Sequence, residues 1–281
     1  NMRTPGRLKS IWMPELIKEL RLVLVISRDV CRAALKERMM YGFLLLALLF
    51  ILMANVPFVV KDPKVFGPQR PELSALQIGF VSINIFTILI AIFVSLNTLQ
   101  SFFSWERLGL LLSKPVKRVL ILEGVILGLF GMVFLNWFLM TAGVWLVIFS
   151  QTREWGFYIW TGMSVTALMA LLYVTLVVFF YCIIPNTMAG IMAVLLIIAG
   201  FGVPMARQAF SSTLPPGFVS SSLAFGLNCI PQINSLWGIS MQQLRFFNLN
   251  ISALPIILQT LAVIFVLNIV SALRFRRFCQ L

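Results

Sequence analysis

The sequence contains no histidine, so the commonest general base and the commonest transition-metal ligand are both missing. Its four cysteines, Cys31, Cys182, Cys229 and Cys279, form no Cys-x-x-Cys pair, which excludes the ordinary zinc and dithiol motifs. Acidic residues number only nine in 281. Neither a Gly-x-Ser-x-Gly elbow nor a Walker-type phosphate loop occurs. The chain is therefore expected to hold no catalytic, cofactor-binding or metal-ligating set. Charge is scarce altogether, at 11% of residues, where a soluble domain carries roughly a quarter.

What fills the sequence is apolar, at 60% hydrophobic with a mean hydropathy of +0.98. A backbone in hydrocarbon has no water to bond, so unbroken apolar runs of about 20 residues read as helices that satisfy themselves. Six such runs, 43–60, 79–99, 119–149, 161–184, 187–203 and 253–273, predict an all-α integral membrane protein with six transmembrane helices. The third is overlong and is expected to tilt or protrude. With both ends on the cytoplasmic side of a plasma (inner) membrane, 16 of the 22 basic residues fall inside and 6 outside; basic retention selects that orientation. Only Cys229 then faces outward, so no intrachain disulfide is expected there.

Residues 1–41 read as a cytoplasmic leader and 42–281 as the six-span domain. In the leader, Ile11, Trp12, Leu16, Leu20, Val23, Ile26 and Val30 recur at steps of three and four, while Lys18, Arg21, Arg28, Arg32 and Lys36 take other positions. That pattern predicts one or two amphipathic helices lying in the cytoplasmic interface, with Pro14 in a first turn. Between the fifth and sixth runs, 207–252 carries Pro215, Pro216 and Pro231 and two apolar stretches too short to span, so it reads as a re-entrant or surface-lying helical segment on the outer face. The net charge of +13 sits beside the spans rather than on one basic face. Anionic membrane lipid, and not nucleic acid, is the expected partner.

Inside the runs, Glu123 is the one ionisable residue, expected to snorkel or to pair with Lys117 or Arg118. Asn84, Asn97, Asn136, Thr141, Thr175 and Asn268 are neutral and expected to bond between helices. Gly124, Gly128 and Gly131 make a small-residue face that permits close approach of another helix, within the subunit ahead of a dimer contact. No buried carboxylate pair or broken helix marks an ion-coupled carrier, so any energy source is expected outside the chain.

The cytoplasmic loop 101–118 runs Ser-Phe-Phe-Ser-Trp-Glu-Arg-Leu-Gly-Leu-Leu-Leu-Ser-Lys-Pro-Val-Lys-Arg. Leu108, Leu111 and Leu112 predict a short amphipathic helix that Pro115 ends, an apolar knob rimmed by Glu106, Arg107 and Lys114 and suited to a groove on a partner. With Glu106, Arg107, Leu110 to Ser113, Lys114, Pro115, Val116 and Arg118, then Gly124 and Gly128 early in the next span, the chain resembles the ABC-2 type permeases of ATP-binding-cassette transporters. The amphipathic leader, six spans and helical excursion before the last span resemble that family too; Glu106 and Pro115 stand about one helical turn closer than is usual in it. The resemblance implies a permease subunit that pairs with a second copy or a homologous permease and docks separate ATPase subunits, which hold the ATP and magnesium. It makes Trp105, Glu106, Arg107, Leu108, Leu111, Leu112, Lys114 and Pro115 the coupling surface, serving export or force transmission to an external partner. The competing reading from the bare spans is a structural or assembly subunit that moves nothing. The scarcity of buried charge favours a hydrophobic cargo over a small ion.

Overall fold

The computed structural model describes residues 7–36, 38–53, 71–103, 117–153, 155, 158–184, 187–213, 233, 235–236, 238 and 254–278. These residues form seven helices and no strand: α1 (Arg7–Leu35), α2 (Arg38–Met53), α3 (Pro71–Phe102), α4 (Arg118–Thr152), α5 (Tyr158–Ile183), α6 (Thr187–Thr213) and α7 (Leu254–Phe278). α5 is rich in Val, Thr and aromatic residues that are mediocre helix formers in water. In a solvent that offers no hydrogen bonds, the self-satisfied helix wins over such preferences.

Four stretches, Leu76–Phe102, Arg118–Thr152, Met163–Ile183 and Leu254–Phe275, are long and apolar enough to cross a bilayer. The other two runs give shorter apolar helices, Met40–Met53 and Met188–Gly202. α2 is described only to Met53, whereas the apolar run continues to 60. α6 passes through Pro204 and ends at Thr213, beyond the end of its apolar run. With 35 residues, α4 is the longest helix described; at 1.5 Å per residue it measures about 52 Å, well over the roughly 30 Å of hydrocarbon.

The core lies where α3, α4 and α5 meet, around Phe80, Ile90, Leu122, Leu129, Met132, Leu172 and Tyr173, all fully buried. α2 packs on α3 and α4, α6 on α5 and α3, and α7 on α5 and α4, while the most extensive pairing is that of α1 with α4. A Cβ on Gly79 of α3 would meet Val144 of α4 at 2.8 Å. Because these two helices run antiparallel, that approach fixes their register and brings Thr87 level with Asn136.

At its far end α4 closes on Arg153 in the left-handed conformation (φ 61°, ψ 12°), whose N–H donates to the Phe149 carbonyl. Trp145 Nε1 donates to the Trp155 carbonyl at 2.7 Å, and the Trp145, Phe149 and Trp155 rings gather there. Amphipathic aromatics of this kind suit a membrane–water boundary.

Candidate functional site

Trp105, Glu106, Arg107, Leu108, Leu111, Leu112, Lys114 and Pro115 lie outside the described residues, but the frame that holds their segment is described on both sides. On entry, the Phe103 ring stacks on Tyr181 of α5 (6.0 Å) and packs against Phe102 (5.6 Å) and Phe275 of α7 (5.4 Å). The ends of three helices thus share one aromatic cluster. On exit, Lys117 is extended (φ −63°, ψ 121°) and caps no helical N–H. Its ammonium instead donates to Glu19 Oε1 of α1 at 2.5 Å. Lys117 is 75% and Glu19 36% exposed, so solvent screens the pair, and it guides position more than it adds stability.

That bond corrects the expectation for Glu123. Lys117 and Arg118 precede Glu123 by six and five positions, roughly 240° and 140° around a helix, so neither shares its face. Among the described residues Glu123 has no ion-pair partner. It is half-buried and looks toward α7, where with Val119, Phe265, Asn268, Ile269, Ala272 and Leu273 it lines a groove of about 440 Å³.

The glycines on α4 divide. A Cβ on Gly124 would stand 2.8 Å from Ile26 and 3.2 Å from the Val23 carbonyl, and one on Gly128 would stand 2.6 Å from the Ser27 carbonyl. Both therefore seat α1, whose backbone comes within reach only because side chains are missing. Gly131 has nothing within 4 Å of its Cβ position. The matched pairs ascend together, so α1 and α4 run side by side in the same direction, and α1 ends about a turn above the Gly128 seat. The C-terminal half of the leader is thus held along α4, with Ile26, Val30 and Ala34 buried. Burial there pushes the Cys31 thiol above its ordinary pKa.

The deeper polar residues turn inward on their own helices. Asn84 Nδ2 donates to the Phe80 carbonyl, Asn136 Nδ2 to Met132, Thr141 Oγ1 to Trp137 and Thr175 Oγ1 to Leu172. A short side chain reaches a carbonyl one turn back more easily than a neighbouring helix, and this replaces the expected interhelical bonds. Asn84 Oδ1, Thr87 Oγ1 and Asn136 Oδ1 are buried and have no hydrogen-bond partner among the described residues. Asn268 Oδ1 has none either. Among the described residues no three Cys, Asp or Glu side chains gather as a metal site would require.

Compared with family models and with curated proteins, the chain matches none. Function therefore rests on the geometry itself. Sequence reading did not single out Glu19, Phe103, Tyr181 or Phe275, although aromatic residues within a turn of three helix ends on one side were a visible signal. The pairing of Glu19 with Lys117, 98 residues away, left no such trace.

Proposed function

We propose that the chain is the membrane-spanning subunit of an ABC-2 type transporter. In this reading α2 and α6, completed by neighbouring residues, join the four long helices as six spans, with both termini in the cytoplasm of the cell that bears them. Two copies, or one copy and a homologous permease, dock separate ATPase subunits that bind ATP and magnesium. Loop 101–118 passes their motion into the bilayer, for export or for work on an external partner, and lipid rather than nucleic acid surrounds the basic residues.

The observation that carries the proposal is the double anchorage of the loop. A push on a segment whose entry is packed on α5 and α7 through Phe103, and whose exit is tied to α1 through Lys117, reaches three separate elements at once. A connection serving only as a link between spans needs no such frame.

Co-purification with a cognate ATPase in detergent, using Glu106→Arg and Leu111→Arg, tests the reading. Both variants are expected to lose the ATPase or its stimulation. An ATPase that binds and hydrolyses ATP normally with both variants sinks the coupling assignment. An assembly subunit, by contrast, leaves ATP hydrolysis unchanged when the native chain is added.

A further inference from the structure

The groove between α4 and α7 has the chemistry of a site. Its floor carries the half-buried Glu123 carboxylate, which has no ion-pair partner among the described residues. Its wall carries Asn268, whose Oδ1 is closed to solvent and has no donor among the described residues. The rest of the lining is apolar, and Phe265 and Ile269 are exposed on the outside of the bundle, so the groove opens sideways rather than into the core. A volume of about 440 Å³ falls within the range of small-molecule pockets.

A half-buried carboxylate that no described cation neutralises carries a desolvation cost, part of which a complementary ligand recovers. An anionic acceptor in an apolar groove calls for a cation that carries N–H donors. A divalent metal is a poor match, because one carboxylate and one amide fall short of the six to eight oxygens calcium takes or the octahedron magnesium demands. The sideways mouth and the exposed Phe265 and Ile269 call for a ligand whose remainder is a hydrocarbon tail.

We propose that this groove binds the head of a cationic amphiphile, a primary alkylammonium, with Glu123 as its counter-ion, Asn268 beside it in the wall, and the tail lying along Phe265 and Ile269. The ligand enters from the bilayer and needs no ATPase. The site is therefore independent of the coupling role proposed above, and its failure leaves that role untouched.

The test uses the full chain alone in neutral phosphatidylcholine nanodiscs, with radiolabelled dodecylamine as probe and dodecanol and dodecyltrimethylammonium as competitors. Dodecylamine is expected to bind saturably. Glu123→Gln is expected to weaken it by about tenfold or more, since a hydrogen bond to a charged group is lost. Asn268→Leu is expected to weaken it less, and Arg153→Gln at the other end of α4 not at all. Dodecanol, which lacks charge, and the trimethyl compound, which lacks N–H, are expected to compete at least tenfold more weakly. Equal binding to the Glu123→Gln chain overturns the proposal, as does equal competition by dodecanol. Should Glu123→Gln fail to fold, the Asn268→Leu chain and the competitor series on the native chain decide the matter. A chain that purifies as a dimer and cross-links to its own copy through Ala272→Cys has its groove covered by protein, which also overturns it.

Discussion

α5 and α7 are nearly equal in hydropathy, yet 61% of the apolar stretch of α5 is buried inside the protein and only 17% of that of α7. Phe265, Val266, Leu258 and Leu273 of α7 stand more than half exposed, whereas Leu172, Tyr173 and Val174 of α5 are closed off. Hydrocarbon is as apolar as leucine, so nothing in transfer free energy distinguishes a helix that faces lipid from one that faces protein. Packing alone makes the difference, and packing depends on neighbours. The same contrast runs across α4, whose glycines seat α1 on one flank while the other flank leaves a groove against α7.

The contrast breaks most readily at a large-to-small change. Leu172→Ala opens a cavity that the surrounding helices fill only in part and is expected to cost about 2 kcal/mol or more. Leu258→Ala, at a position that no described residue covers, is expected to stay within about 0.5 kcal/mol. Unfolding in detergent or nanodiscs measures both, and equal losses would show that another surface covers α7. Next comes the seat of α1: Gly128→Ala drives a methyl into the Ser27 carbonyl and is expected to cost about 1–3 kcal/mol, whereas Gly131→Ala, in open space, is expected to be neutral or slightly stabilising.

Cys31 reports on the same seat through pH. With its thiol pKa raised by burial, thiolate forms only at higher pH than in an open chain, so alkylation with the other three cysteines replaced is expected to need a pH above the ordinary value of about 8.5 for half-maximal rate. Gly128→Leu, by lifting α1 off α4, is expected to lower that midpoint; an unchanged midpoint would mean that α4 is not what buries the thiol. The smallest effect belongs to the screened pair. Glu19→Gln is expected to cost roughly 0.2–1 kcal/mol, and less at high salt, and Glu19→Lys with Lys117→Glu is expected to restore most of the loss.

Helical content and membrane character were legible in the sequence because they depend on run length and composition alone. The burial of each run was not, since α5 and α7 carry the same signal. At the site, Gly124 and Gly128 were visible as a pattern, but the idleness of Gly131 depends on how α1 lies along α4, a fact of a different helix. The partner of Lys117 was hidden by sequence distance, and pairing of Glu123 with Lys117 or Arg118 was expected because nearness in sequence stood in for a shared face. Asn84 and Asn136 bond one turn back, a local choice that composition does not record.

The seating of α1 has a consequence for the bilayer. Arg28 is exposed on the turn of α1 seated at Gly128, while on the opposite flank, at about the same height on α4, the exposed Phe265 and Val266 of α7 are suited to hydrocarbon. A flat lipid surface cannot wet a guanidinium and bury a phenyl ring at one height, so either the Arg28 stem snorkels to the headgroups or the surface slopes to meet it. Such a slope stores elastic energy of fractions of a kcal/mol per Å of mismatch. Any motion of α1 relative to α4 changes that slope, so the thickness of the host membrane becomes a variable that sets how easily the leader moves.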